Sequence, residues 1–234
     1  SKPTFAYGDR GMLHADYWFQ HGQSKWPEGA IMTPYIGSHD EPRFVTLADY
    51  RDLGGAHDRG IAYHQWSDTA EAPSDGEPYR RMRIGMSWLL TLPGAPLLYY
   101  GDEYGQWGGA DPNNRMMHDD QVQSDSEEEA TLLHIRALGQ ARQNLLALRR
   151  GNYVSLGGTD DTLTFARQAP GGEAAVVGLT RSMVAEPVTV DVSALGLTAG
   201  TVLHDEMNGP NVTVQADGTA SFTIPASGVV ILAP

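Results

Sequence analysis

The residue composition of the chain changes near residue 151, and this change limits the possible folds more than any other feature of the sequence. After that point the sequence consists of short β-prone runs broken by turn dipeptides such as Gly171-Gly172 and Asp217-Gly218. Many short runs at regular spacing predict antiparallel strands, and Asp-Gly is a strong hairpin signal. We predict strands near residues 152–156, 162–167, 174–180, 186–192, 201–204, 211–215, 219–224 and 228–232. Residues 151–234 are therefore predicted to form an antiparallel β-sandwich.

The preceding 150 residues hold all five tryptophans and seven of the eight histidines. Here the pattern predicts helices near 11–21 and 78–92, and buried strands at 30–37 and 94–101. Repeated strand–loop–helix units with buried strands indicate a parallel α/β sheet. Pro34 counts against a central position for the first strand, because proline cannot donate to a ladder.

A third helix is predicted to begin at Ser126. Ser126 and Glu129 have the spacing of a capping box, and Arg149, Arg150 and Gly151 follow the order expected at a helix end. The predicted buried face consists of Leu133, Ala137, Ala141, Leu145 and Leu148. Three glutamates at 127–129 could suggest a cation site, but at a helix N-terminus they are better explained as complementing the helix dipole.

Charge and composition exclude several classes of function. The net charge of −13 argues against a nucleic-acid partner, which would require a basic face. No run approaches the roughly eighteen apolar residues of a membrane span, so no membrane partner is expected. The absence of cysteine excludes disulfides, a thiol nucleophile and a cysteine-ligated metal. The first residues lack the apolar core of a signal peptide, and the compartment stays open.

The stretch YIGSHDEPRF, residues 35–44, places several ionisable groups at the end of the first predicted strand. In parallel α/β folds, catalytic residues gather at the carboxyl ends of strands. Asp40 follows one predicted strand and Glu103 follows the other, and a carboxylate pair flanking a cleft is what glycoside hydrolysis requires. A glutamate after a buried strand is also a common hydrogen-bonding strut, and His39 is equally compatible with a core position. These residues alone leave the chemistry open.

Three motifs together resemble the α-amylase family of glycoside hydrolases. YIGSHDEPRF resembles the family's fourth signature, an apolar strand ending in Asn-His-Asp. TLPGAPLLYYGDEYGQWGGADPNNRMMH, residues 91–118, resembles its last barrel strand and following loop, and LLALRRGNYVSL resembles its final barrel helix entering the C-terminal β-domain. The resemblance covers nearly the whole chain. It implies a partial (β/α)8 (TIM) barrel over residues 1–150 and an antiparallel β-sandwich, the family's domain C, over residues 151–234.

The resemblance also implies roles for individual residues. Asp40 corresponds to the catalytic Asp that holds two hydroxyls of the sugar before the cleaved bond and stabilises the transition state. His39 corresponds to the histidine that binds the same sugar. Asp111 and Arg115 match a loop that in some members binds the neighbouring sugar, although an Asp–Arg brace within the loop is an equal alternative. Trp107, like Trp66, could stack on a sugar or pack within its loop. Glu103 is interpreted as structural.

The chain departs from the family pattern in two ways. Ser38 replaces the usual asparagine, as in glycogen-branching enzymes of the family, so transferase activity stays open. A full barrel takes about 250 residues, whereas about 150 precede the β-domain here. The signatures that carry the family's nucleophile Asp and acid/base Glu are absent.

These departures set the predicted function. The resemblance implies the C-terminal part of a retaining enzyme that acts on an α-glucan or maltooligosaccharide, completed by the rest of the barrel or by a second copy. The alternatives are a glucan-branching or other transferase, an inactive family member serving as a binding or scaffold protein, and a free-standing carbohydrate-binding fragment. No metal or cofactor is predicted for this chain, and calcium is possible in the missing half.

Overall fold

The structure, a computed structural model, describes residues 2–27, 29–51 and 59–234. Its α-helices are α1 (Met12–Gln23), α2 (Phe44–Asp49), α3 (Glu77–Thr91), α4 (Glu127–Asn144) and α5 (Leu146–Arg150), with short helical turns at Pro3–Tyr7, Arg59–Tyr63, Asn113–Arg115 and Ser193–Leu195. Its strands are β1 (Asn152–Gly158), β2 (Thr162–Gln168), β3 (Ala174–Thr180), β4 (Glu186–Asp191), β5 (Val202–Asp205), β6 (Val212–Thr213), β7 (Thr219–Ile224) and β8 (Val229–Ala233). Among the described helices, none has the length and apolar content needed to cross a bilayer.

The chain divides into two compact units. The first comprises Ser1–Arg10, Pro34–Leu89 and Pro96–Arg136, and the second comprises Gly11–Thr33, Leu90–Ala95 and Ala137–Pro234. The second unit includes α1 because buried polar contacts attach it to β1. Asp16 accepts hydrogen bonds from Tyr153 Oη at 2.5 Å and from Ser155 Oγ at 3.0 Å. The division into a barrel portion and a β-domain at residue 150 stays a prediction.

All eight predicted strands are present in the second unit and pair antiparallel. Six strands form one sheet in the order β1-β2-β3-β8-β5-β6, and β4 pairs with β7 in a second sheet. Side chains of both sheets, including Val176, Leu232 and Ile224, share one buried core. At Gly178 a Cβ atom would lie 2.8 Å from the ring of Phe222, so this strand position requires glycine where the layers meet.

Residues Asp217 and Gly218 lie in a turn that connects the two sheets. Gly218 has φ of 82°, which glycine adopts without strain, and Gln215 N donates to Thr219 O at 2.8 Å. However, β6 pairs with β5, whereas β7 pairs with β4. The turn is present, but the predicted hairpin is wrong, because the strands on either side of the turn enter different sheets.

The Ser126 cap of α4 is confirmed, and the reciprocal bond of the predicted capping box is shifted by one residue, from Ser126 N to Asp125 N. Glu129 N donates to Ser126 Oγ at 3.0 Å, and the Glu129 carboxylate accepts from Asp125 N at 2.7 Å. The predicted buried face is wrong at Leu133, which is 55% exposed, because the buried stripe instead includes Ile135 and Leu138. The helix also does not run unbroken to residue 150, since extended backbone at Leu145 separates α4 from α5.

The two predicted barrel strands, 30–37 and 94–101, do not form regular strands. Ala95 N donates to Met32 O at 2.8 Å and Leu97 N donates to Pro34 O at 2.9 Å, a same-direction spacing typical of parallel pairing. Proline has no backbone N–H, so Pro34 cannot donate a hydrogen bond back to the 94–101 segment, and a continuous parallel ladder does not form. The expected burial is wrong as well, since Tyr35 is 53% exposed and Leu97 is 44% exposed. Among the described strands, none pairs with either segment and covers these side chains.

Candidate functional site

Two loops of the first unit are joined at their bases. The 37–43 loop leads into α2, and the 108–115 loop follows the second barrel segment. Arg43 N donates to Gly108 O at 2.9 Å, and Gly108 N donates to Thr46 Oγ1 at 2.8 Å. One backbone–backbone hydrogen bond and one bond to the Thr46 side chain thus hold the loop carrying His39 and Asp40 beside the loop carrying Asp111 and Arg115.

His39 and Asp40 lie together at the exposed tip of the 37–43 loop. His39 Nε2 is 3.2 Å from Asp40 Oδ1, and the two side chains are 63% and 71% exposed. Asp40 N donates to Ser38 Oγ at 3.3 Å, which fixes the backbone locally. An exposed carboxylate accepts hydrogen bonds on both oxygens, and an adjacent imidazole can donate or accept. This pair is therefore able to bind neighbouring hydroxyls of a polyol.

Asp111 and Arg115 form an ion pair next to this tip. Arg115 Nε lies 3.0 Å from Asp111 Oδ1, and the same nitrogen donates to His39 O at 3.3 Å. Both side chains are 44% exposed. The predicted brace within the loop is therefore present, and it extends to the backbone beside Asp40. Contact of either residue with a sugar stays a prediction.

Trp107 is the predicted stacking residue that follows the second barrel segment. Its half-buried ring lines a cleft of about 400 Å³ together with Tyr104, Gln106, Met116 and Asp119. Trp66 is 81% exposed. A stacking role for either ring stays a prediction. Glu103, interpreted as structural, pairs with His118 Nε2 at 2.9 Å. Within the described residues, no group of three or more histidines and carboxylates is suited to hold a metal ion.

Sequence reasoning missed Arg43, whose side chain is fully buried beneath the two loops. Its Nε donates to Asn114 O at 2.8 Å, and its Nη1 donates to Tyr100 O at 2.5 Å and lies 3.3 Å from Asp102 Oδ1. The guanidinium carbon lies 4.1 Å above the ring centre of Tyr99, a cation–π contact. Arg43 stands in the quoted motif, but its partners lie 57–71 residues away, so no local signal indicates its burial.

Asp102 is the buried counter-ion of Arg43. Burial raises the pKa of Asp102 to about 7, although the charge and hydrogen bond of Arg43 act in the opposite direction. At Gly37 a Cβ atom would lie 2.5 Å from Asp102 Oδ2. The glycine before Ser38 is therefore needed because the buried carboxylate packs directly against that backbone.

Asn114 was also missed, and it connects this buried pair to the exposed tip. The residue is fully buried, and its Nδ2 donates to His39 O at 2.8 Å and to Glu41 O at 2.7 Å. Its only sequence signal is its place between the two matched residues of the Asp-Pro-x-x-Arg motif. The structure thus brings together His39, Asp40, Asp111 and Arg115 above a buried layer of Asn114, Arg43 and Asp102.

Comparison with known proteins gives sequence relatives and structural neighbours, while no protein-family model matches the chain. The α-amylase MalA of Haloarcula japonica is 31% identical over 204 residues, which are 87% of this chain and 25% of that protein. A cyclomaltodextrin glucanotransferase of Paenibacillus macerans is 32% identical over 161 residues, 67% of this chain and 22% of that protein. The chain spans about a quarter of the length of the curated relatives it matches.

A solved structure extends the likeness to the whole chain. The crystal structure of AmyP in complex with maltose matches 99% of this chain and 47% of that chain, with a TM-score of 0.76 and 18% sequence identity. At this identity the likeness establishes the fold. The predicted fold class, a partial (β/α)8 barrel followed by an antiparallel β-sandwich, is confirmed.

Proposed function

Since this chain matches the C-terminal region of an α-amylase-family protein, we propose that it forms part of a retaining enzyme that cleaves α-glucosidic bonds. The observation that carries this proposal is the exposed His39–Asp40 pair, with Nε2 and Oδ1 3.2 Å apart, supported from below by a buried polar layer. The chain contributes the sugar-holding end of the barrel, and the rest of the barrel contributes the nucleophile and the acid/base.

Asp40 acts by holding the sugar rather than by transferring a proton. Its two carboxylate oxygens accept hydrogen bonds from neighbouring hydroxyls of the sugar before the cleaved bond. These bonds strengthen as oxocarbenium character develops, so the interaction stabilises the transition state more than the bound substrate. His39 donates to the same sugar, and its position is set by its contact with Asp40.

We propose an α-glucan or maltooligosaccharide as the substrate. The neighbour AmyP was solved with maltose, and the relative from Haloarcula japonica is an α-amylase. The rest of the barrel or a second copy is the proposed partner. Exposed apolar side chains on the barrel segments, including Ile31, Tyr35 and Leu97, support a covering partner. No cofactor is proposed for this chain, and calcium is proposed only for the rest of the barrel.

A transferase is the second candidate, favoured by Ser38 and by the similarity to a cyclomaltodextrin glucanotransferase. The two activities differ in what accepts the glucosyl group from the enzyme. Incubation of the complete enzyme with maltotetraose separates them, because water as acceptor gives only shorter products. Longer or cyclic products identify the transferase.

Arg115→Lys tests the role of the 108–115 loop in substrate binding. Lysine keeps the positive charge but loses the planar fork of donors, so affinity for maltooligosaccharides that reach the neighbouring subsite should fall about tenfold, equivalent to about 1.4 kcal/mol. Hydrolysis of a small aryl glucoside, which does not reach that subsite, should change much less. An equal loss of kcat/KM on both substrates would instead assign Arg115 to the brace with Asp111 alone.

A further inference from the structure

One buried side chain holds the backbone on both sides of Asp40. Asn114 Nδ2 donates to the carbonyl oxygens of His39 at 2.8 Å and Glu41 at 2.7 Å, the residues immediately before and after Asp40. Asn114 is fully buried, whereas the side chain of Asp40 is 71% exposed. The exposed carboxylate thus projects from a backbone segment whose two flanking peptides are fixed from the protein interior.

We propose that Asn114 is a positioning residue that sets the direction of the Asp40 carboxylate. This inference rests on the proposed function, because it concerns how Asp40 is presented to a sugar. A sugar-binding carboxylate on an exposed loop must be held near its productive geometry before the substrate arrives. Asn114 supplies that constraint without touching the substrate itself.

The chemistry of the contact requires an amide. Both partners are carbonyl oxygens, which only accept, so the group facing them must donate two hydrogen bonds. A primary amide has two N–H donors on one nitrogen, and Asn114 uses that nitrogen for both bonds. A carboxylate of the same size has no proton to donate and would place charge against two carbonyl oxygens. Asn114→Asp therefore removes both bonds with almost no change in volume.

Asn114 is itself held from below and cannot simply follow the loop. It lies in the short turn Asn113–Arg115, and its carbonyl oxygen accepts from Arg43 Nε at 2.8 Å. Arg43 is buried and paired with Asp102. The path from Arg43 to the flanks of Asp40 therefore consists of three polar contacts of 2.7–2.8 Å, made by the buried residues Arg43 and Asn114 to each other and to the loop backbone.

Arg115 offers the main alternative means of holding this loop. Its Nε also donates to His39 O, but at 3.3 Å and from a side chain that is 44% exposed. A longer bond in contact with water constrains the backbone less than a short buried one. The Asn114 bonds bracket Asp40 from both sides, whereas the Arg115 contact is to His39.

The adjacent residue provides a matched control. Asn113 Oδ1 accepts a hydrogen bond from Gly109 N, and an aspartate at this position accepts the same bond. Asn113→Asp and Asn114→Asp thus make the same chemical change at neighbouring positions of one turn. The first preserves the hydrogen bonding of its site, and the second abolishes it.

The first test measures backbone order in the 234-residue chain by ¹⁵N relaxation. In Asn114→Asp the order parameters of residues 39–41 should fall from about 0.85 to below about 0.6, while those in Asn113→Asp should stay at the higher value. Asn114→Ser, which keeps one donor on a smaller side chain, should shift the same residues in the same direction by less. Unchanged order in the Asn114 variants, or an equal loss in Asn113→Asp, would overturn the proposal.

The second test uses the complete enzyme and asks whether Asn114 acts through Asp40. Asn114→Asp should lower kcat by about 100-fold, the scale of a misplacement of about 1 Å, with a much smaller change in KM. In an Asp40→Asn background the same substitution should have little further effect. Full additivity of the two losses would overturn the positioning role.

The two tests separate the inference from the function on which it rests. Normal turnover in Asp40→Asn would contradict the proposed function, whereas the relaxation experiment would still decide whether Asn114 orders residues 39–41. Loss of order in Asn114→Asp combined with wild-type kcat would contradict the positioning role, because it would separate the order of the loop from turnover.

Discussion

Asp40→Asn in the complete enzyme is expected to lower kcat by about 10²–10³-fold, equivalent to about 2.7–4 kcal/mol of lost transition-state stabilisation. Asparagine keeps the shape of the side chain but carries no negative charge and only one acceptor oxygen. Because the lost interaction is strongest in the transition state, KM should change much less than kcat. Steady-state kinetics on maltooligosaccharides provides the measurement. Folding should survive, since the Asp40 side chain is 71% exposed.

Asp120→Asn serves as the matched control for this change. Asp120 is an exposed carboxylate of the same unit whose oxygen accepts from Gln121 Nε2 at 3.3 Å, and nothing places it in the candidate site. Its removal should leave kcat near the wild-type value. Near-native turnover in a well-folded Asp40→Asn enzyme would remove Asp40 from the catalytic residues.

Arg43→Met is expected to destabilise the chain by about 3–5 kcal/mol, because it leaves Asp102 as an unpaired carboxyl in the interior. It also removes the donors to Asn114 O and Tyr100 O. Chemical denaturation monitored by a signal from the first unit measures the loss. Asp102→Asn in the Arg43→Met background should recover part of it, since a neutral amide replaces the uncompensated carboxyl.

The cost of Arg43→Met should depend on pH in a defined direction. Burial raises the pKa of Asp102 above its unfolded value of about 3.8, to about 7 with Arg43 present. The stability contribution of such a group is present below the unfolded value and is lost as pH rises through the folded value. Without Arg43, the rise loses its largest opposing contribution, and the backbone hydrogen bond involving Tyr99 remains. The deficit of Arg43→Met should therefore be larger at pH 8 than at pH 5.

Arg83→Met provides the comparison within the same unit. Arg83 Nη1 lies 2.9 Å from Glu127 Oε2, but the Glu127 side chain is 40% exposed. Loss of such a partly exposed pair should cost only about 0.2–1 kcal/mol. Equal losses for Arg43→Met and Arg83→Met, or a deficit independent of pH, would contradict the assignment of Arg43 and Asp102 as the buried support of the site.

The β strands could be predicted because their signals are local. Alternating and continuous apolar runs, and turns such as Asp217-Gly218, indicate strands without knowledge of distant contacts. The turn sequence does not indicate that the strands before and after it belong to different sheets, because strand pairing depends on which other strand lies alongside each of them. For the two barrel segments, by contrast, local signals gave the wrong burial. Their apolar runs predict burial, yet Tyr35 and Leu97 are exposed because burial requires neighbouring strands that this sequence does not supply.

The residues of the candidate site also fall into those that local sequence signals indicate and those that they do not. His39, Asp40, Asp111 and Arg115 could be selected because each stands in a motif whose chemistry is visible in the sequence. Their convergence depends on Asn114, whose side-chain partners lie 73–75 residues earlier in the chain. Its burial, like that of Arg43, is decided by packing of distant loops, which no periodicity or spacing indicates.

We propose that this chain supplies the sugar-holding Asp40 but not the pair of carboxylates that carries out the chemical step. Retaining hydrolysis needs two such carboxylates about 5–5.5 Å apart across the cleaved bond, and the resemblance places Asp40 outside that pair. The strands expected to carry the pair are not recognised in the sequence. Glu103, the other carboxylate after a barrel segment, is paired with His118.

The most direct test is an assay of the purified 234-residue chain on starch and maltooligosaccharides, with intact-mass analysis to exclude a co-purifying fragment. We expect no hydrolysis above a protein-free control, and turnover only when the rest of the barrel is present. Robust, specific turnover by the lone chain that is abolished by Glu103→Gln and by Asp40→Asn would contradict this proposal and would identify those two residues as the working pair.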